Sequence, residues 1–339
     1  MLLKKLSEAS GVSSNEKEVR NLIKDNIEDN VDEMWTDVMG NLIAVKGKEK
    51  KGKKVLLSAH MDEIGLMITG IESNGLLKFR PVGGIDKRVL VSKTVLIGDK
   101  KIEGVIGSKA IHLQKKSERN SPIPWSSLYI DIGTSSKEES EKAINLGDYA
   151  TFNTRFKQLG INHAKGKAFD DRIGCATIVD LLKYEYDFPL YAVFSVQEEV
   201  GLRGAARAAY DIEPDMALVI EGTSASDVPE SKEHNYSTSV NKGPALTIMD
   251  NSVITNRKIL EGLTTIADNN DIPYQMRRSN TGGTDAGKIS LTKEGIPSAV
   301  ISLPCRYIHS PVSLISLRDY DYLKELVKTY LSNLDKGEF

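Results

Sequence analysis

Histidine and cysteine are both scarce in this 339-residue chain, and each scarcity narrows what it can do. The two cysteines, Cys175 and Cys305, cannot form a disulfide framework, which fits a reducing compartment and predicts a cytoplasmic protein. Charge of one sign is not in excess: 45 Lys and Arg stand against 47 Asp and Glu, a formal net charge of −2. That balance argues against nucleic acid as a partner, and a hydrophobic content of 40% argues against disorder. Long apolar runs are missing as well. Stretches such as Met216–Ile220 fall far short of the ~20 residues of a membrane span, so no membrane partner is expected. Met1-Leu2-Leu3-Lys4-Lys5 leads to Glu8 with no apolar core of a signal peptide. With only His60, His112, His163, His234 and His309 present, any metal or acid–base chemistry must draw on few imidazoles.

What is present changes texture along the chain. Val19, Leu22, Ile23 and Ile27 mark one helical face within Glu16–Glu28, and Leu42–Val45 and Val55–Ser58 read as strands. From Gly65 to about Gly160, short β-like runs alternate with glycine and polar turns, the spacing of a small barrel or sandwich. Ser117–Ser127, with Pro122 and Pro124, reads as a loop. The α/β texture then resumes. Helices are predicted over Arg172–Tyr184, Arg203–Tyr210, Val253–Asn270 and Tyr320–Leu334, and strands over Leu190–Val196, Met216–Ile220 and Ala299–Leu303. The expected fold is α/β: a mixed sheet covered by helices on both faces, built from residues 1–64 and 164–339 and interrupted by a small β domain at 65–163.

Metal-type ligands recur where predicted strands end or helices begin. Val55–Ser58 runs into His60-Met61-Asp62; Asp170-Asp171 precede a helix; Phe194-Ser195-Val196 delivers Glu198-Glu199; Leu218-Val219-Ile220 ends in Glu221; a late strand returns His309. Strand C-termini of an open α/β sheet converge on a ligand crevice. Neutral imidazole and carboxylates are what zinc, cobalt and manganese accept. Three carboxylates, Asp170, Glu199 and Glu221, balance two divalent cations and one hydroxide, whereas a single cation would leave a buried negative excess. Of the adjacent glutamates, one can ligate while the other takes a proton from water.

Together His60-Met61-Asp62, Asp170-Asp171-Arg172, Glu198-Glu199-Val200-Gly201, Gly282-Gly283-Thr284-Asp285-Ala286 and Arg306-Tyr307-Ile308-His309-Ser310-Pro311 resemble the tetrahedral (TET) aminopeptidase family. Its members include glutamyl and deblocking aminopeptidases and proteins labelled endoglucanase M. The resemblance extends through the insertion, at Val82-Gly83-Gly84-Ile85-Asp86 and Asp131–Ser136. It implies a metallo-exopeptidase-like catalytic domain, a PDZ-like insertion serving oligomerisation and substrate access, and two divalent metal ions per subunit, zinc or cobalt. It implies Asp170 as the bridging carboxylate, His60 and Glu221 on one metal, and Glu199 and His309 on the other. Glu198 would be the general base, and Asp62 would orient His60 from behind. Many relatives carry Asp where this chain has Glu221. The implied activity is hydrolysis of N-terminal residues from peptides by metal-activated water, in a homo-oligomer of dimers that assemble to a dodecamer.

Plainer roles compete at several of these positions. Asp171 suits a helix cap beside a ligating Asp170. Gly282-Gly283-Thr284-Asp285 lacks the ending of a phosphate loop. His112, His163 and His234 lie away from the carboxylate motifs, Cys175 reads as core, and Lys46–Lys54 as a solvated turn. Arg277, Arg278 and Arg306 offer charge pairing to an acidic N-terminal residue. A metal-dependent deacylase of acyl-amino acids and a catalytically silent metal-binding assembly protein are the alternatives. A glycosidase would leave His60 and His309 unexplained.

Overall fold

Strands with apolar residues on both faces build the centre of the molecule. The computed structural model describes residues 1–229 and 231–334. Strands β1 (Glu33–Thr36), β2 (Leu42–Lys46) and β3 (Val55–His60) come first. Six follow in the insertion: β4 (Gly65–Ile71), β5 (Leu77–Val82), β6 (Thr94–Ile97), β7 (Ile102–Ser108), β8 (Leu128–Asp131) and β9 (Tyr149–Phe152). The chain returns through β10 (Lys157–Leu159), β11 (His163–Gly166), β12 (Leu190–Ser195) and β13 (Met216–Ser224). It ends with β14 (Ala245–Thr247), β15 (Gln275–Arg277), β16 (Ser298–Arg306) and β17 (Ser313–Ser316).

Eleven of these strands form one sheet in the order β1-β2-β12-β3-β13-β16-β17-β11-β10, with β14 beside β16 and β15 beside β14. The central four, β12-β3-β13-β16, run parallel, and antiparallel strands extend the sheet on both sides. The sheet is therefore mixed. Period-two alternation splits its residues between two cores. Val55, Leu57 and Ala59 of β3 face the helices Leu2–Glu8, Lys17–Ile27, Phe169–Leu181, Arg257–Asn269 and Leu317–Leu334, while Leu56 faces Gly204–Ile212 and Asp285–Ile289.

The six inserted strands close into an antiparallel barrel, β4-β5-β8-β7-β6-β9, around Leu66, Ile68, Phe79, Ile97, Ile106, Ile130 and Phe152. After β9 the chain leaves the barrel, and β10 already belongs to the large sheet. The long helix predicted from Val253 begins at Arg257, because the Asn256 side chain caps it by accepting from the Lys258 and Ile259 amides. Ser117–Ser127 holds short helical turns at Lys116–Arg119 and Trp125–Ser127. Lys46 departs from the expected solvated turn. It is buried at the end of β2, donating to the Leu182 carbonyl at 2.8 Å and pairing with Glu185 at 2.9 Å. Among the described residues no helix is long and apolar enough to cross a membrane.

Candidate metal centre

The parallel core of the sheet aims its C-terminal ends at one place. His60 is the last residue of β3 and lies in register with Ser195, the last of β12. Glu221 sits within β13, which runs on to Ser224, past the predicted end at Ile220. His309 follows β16, on a turn where Tyr307 and His309 both adopt left-handed backbone conformations. Asp170 arrives from the start of the helix Phe169–Leu181, joined to Asp171 by a cis peptide bond. Its approach to β13 depends on Gly222, where a Cβ would lie 2.8 Å from that of Asp170.

The side chains converge. His60 Nε2 lies 3.2 Å from Asp170 Oδ1 and 3.2 Å from Glu221 Oε1. His309 Nε2 lies 3.4 Å from Asp170 Oδ2 and 3.3 Å from Glu199 Oε2. Asp170 thus offers one oxygen to each histidine. Glu198 Oε2 stands further off, 3.9 Å from His60 Nε2, and the carboxylate lines the cavity. Donor atoms of His60, Asp170 and Glu199 lie within 4.8 Å of one another, and so do those of His60, Asp171 and Glu221. Asp171 is nonetheless occupied: its two oxygens accept from the His60 amide at 3.2 Å and the Gly174 amide at 3.0 Å, the second bond being a helix-cap contact. The two groups have His60 in common, and Asp170 turns its second oxygen toward His309.

Asp62 is fully buried and ties two parts of the site together. It accepts from the amides of Glu198 and Glu199, both at 3.1 Å, and from the Ser13 hydroxyl at 2.6 Å. Its own main-chain oxygen, 3.0 Å from His60 Nδ1, is nearer that ring than its carboxylate, at 3.5 Å. The carboxylate thus fixes the two glutamates as much as the histidine. Beneath this layer, Glu63 pairs with Lys167 at 2.6 Å and Arg172 at 3.3 Å, and Arg172 donates to the Met61 carbonyl at 2.9 Å. Ser13 and Glu63 escaped the sequence reading. Glu63 adjoins His-x-Asp while Lys167 and Arg172 flank Asp170-Asp171, so opposite charges beside two ligand motifs were the available signal.

Electrostatics follow from burial and proximity. Burial pushes the carboxyls of Glu221 and Glu198 well above the usual range, against the neighbouring His60 charge. Burial likewise raises Glu199 to about 7. Asp170 is held well below the usual range, since hydrogen bonds to His309 and His60 outweigh its burial. Burial opposes the charging of His309, but Asp170 and Glu199 raise it to about 9.

The cavity over these groups has a volume of about 440 Å³, and Arg277 is among the residues that line it. Of the three arginines singled out, Arg277 alone lines it. Arg306 is committed to Asp227 through bonds of 2.9 and 2.6 Å, and Arg278 is exposed. The Arg277 guanidinium donates through Nη2 to the Thr281 carbonyl and lies 3.7 Å from Asp250 through Nη1, while its buried Nε has no hydrogen-bond partner. His112 and His234 are exposed, and His163 lies on β11; none joins the cluster. Cys175 is buried, its thiol donating to the His60 carbonyl at 3.2 Å.

Residues 40–326 match the M42 glutamyl aminopeptidase family, and the chain belongs to that family. A lysyl aminopeptidase of Pyrococcus furiosus is 34% identical over 100% of this chain and 98% of its own. The solved aminopeptidase of the archaeon Desulfurococcus kamchatkensis is 40% identical, with a TM-score of 0.93 over 98% of this chain and 93% of that one. The TET1 peptidase of Pyrococcus horikoshii, described as assembling into a tetrahedron or a large octahedral shell, is 34% identical, with a TM-score of 0.87 over 97% of this chain and 98% of that one.

Proposed function

We propose that this chain is a metal-dependent aminopeptidase that hydrolyses N-terminal residues from peptides. The observation that carries the reading is Asp170, whose two oxygens lie one beside His60 and the other beside His309. His60, Asp170 and Glu221 would hold one divalent cation, and Asp170, Glu199 and His309 a second, zinc and cobalt both suiting this donor set. Two cations held there would polarise the scissile carbonyl and acidify the attacking water.

The chain's own residues supply the rest. Glu198 accepts a proton from the attacking water and returns it to the leaving amine. Burial favours its protonated form, and cations close by would favour the base form needed first. Asp62 positions Glu198 and Glu199 through their amides and supports His60. Arg277 lines the cavity, and its positive charge favours an acidic side chain on the departing residue. Residues 1–64 and 164–339, joined by β10 from the end of the insertion, form the catalytic unit. The insertion at 65–163 serves assembly and substrate access, and the homo-oligomer is built from dimers joining into a dodecamer.

An aminoacyl-anilide panel, run after metal removal and again after zinc or cobalt add-back, tests this reading. Metal-restored turnover with a preference for glutamyl or aspartyl anilides is expected. Turnover confined to acyl-amino acids, or undiminished after chelation, would overturn it.

A further inference from the structure

The barrel reaches into the metal centre at one turn, between β5 and Lys87. Gly84 lines the same cavity as Asp170, Glu199 and His309. A Cβ on Gly84 would stand 3.4 Å from His309 Nδ1 and 3.9 Å from its Cε1, so the main chain of this turn lies against the edge of the imidazole. The preceding Gly83 is left-handed, at φ +83°. A Cβ there would lie 3.4 Å from Glu199 Cβ, 3.5 Å from Glu199 Oε2 and 2.9 Å from Ile64. Two consecutive residues of the insertion therefore abut Glu199 and His309, and the atoms nearest to them come from these two residues and Ile64. The turn is anchored: Ile85 packs against the barrel core, and Asp86 accepts from the Arg88 amide at 2.9 Å.

We infer that Gly83-Gly84 is a positioning element that braces Glu199 and His309, so that the inserted barrel sets the affinity of the His309 half of the centre independently of the His60 half. The inference rests on the proposed metal centre. His309 most needs such bracing. Its side chain is 42% exposed against 1% for His60, and its turn is left-handed at two residues. A half-exposed ligand depends for its orientation on what packs along its ring edge, and loss of such support typically costs about 10- to 100-fold in metal affinity.

The test is calorimetric titration of the metal-stripped full chain with cobalt(II), with visible absorption recorded in parallel. Two binding events are expected for the unaltered protein. Gly84→Val, whose backbone lies outside the left-handed region but whose methyls reach the ring, should weaken one event by about 10- to 100-fold and leave the other unchanged. Gly84→Ala, whose Cβ makes only ordinary contact, should restore near-normal binding. Ile85→Ala frees the turn from its anchor without adding bulk, and the same single event should weaken. Folding of each variant is checked by circular dichroism. Two unchanged events in folded Gly84→Val or Ile85→Ala would overturn the inference, as would equal weakening of both. Absence of cobalt binding by the unaltered protein would instead overturn the proposed metal centre.

Discussion

At the residue scale, the adjacent glutamates divide by position. Glu199 lies 3.3 Å from His309, whereas the shortest contact of Glu198 with a ring nitrogen is 3.9 Å. Glu198→Gln keeps the shape and removes the base, so kcat should fall by about 100- to 10,000-fold while metal content stays near that of the unaltered chain. Steady-state kinetics beside elemental analysis decide it, and retained turnover would remove Glu198 from the role. The ligand-type residues were legible because they stand where apolar strands end or a helix begins, as Leu218-Val219-Ile220 ends in Glu221. Ser13 was not legible. It belongs to no patterned segment, and only the fold brings its hydroxyl to Asp62 across 49 positions of sequence.

Lys167 offers a pH test at the same scale. Its ammonium is buried, and although Glu63 opposes the effect, burial lowers it from 10.5 to about 8. Between those values the native chain binds fewer protons than the unfolded one, so stability should rise with pH across about 8 to 10.5 and stay flat just below 8. Lys167→Met should abolish that rise. It should also cost about 3–5 kcal/mol near neutral pH, because the buried Glu63 loses the nearer of its two cationic partners. Urea unfolding of the metal-stripped proteins at several pH values reads both effects, and an unchanged pH slope in the variant would refute the assignment.

At the scale of elements, the centre depends on how closely a strand and a helix start can approach. β13 and the first turn of Phe169–Leu181 meet where Gly222 has no side chain, and an added Cβ would sit 3.0 Å from the Asp170 Cα. Gly222→Ala must push Asp170 away, and we expect cobalt affinity to fall on the order of tenfold or more with secondary structure retained. Undisturbed titration would show that the helix start has slack. Apolar periodicity located both elements in the sequence, but their meeting point was invisible there. A glycine after a strand carboxylate looks like any turn glycine until the partner is known. Helix ends were blurred for a related reason: Val253–Asn270 is continuous in pattern, and only the Asn256 cap fixes its start.

At the scale of the whole molecule, the proposed ligands span the chain from His60 to His309, and neither cation position can be assembled by one element. His60 comes from β3, Glu221 from β13, Asp170 from a helix start, Glu199 from the turn after β12 and His309 from the turn after β16. Such a site exists only when the parallel core of the sheet is formed, so binding of the proposed cations would be linked to folding of the large sheet. Binding to the native state alone stabilises by about 2.7 kcal/mol at a cation concentration 100 times its Kd. Thermal unfolding of the chelated protein should therefore shift upward with added cobalt(II), continuing to rise with the logarithm of its concentration above saturation. Asp170→Asn removes the shared carboxylate that faces both histidines. In that variant the shift should nearly vanish, while the chelated forms of the two proteins unfold at similar temperatures. A full cobalt-dependent shift in Asp170→Asn would mean that cations stabilise this fold from somewhere other than the crevice at the strand ends.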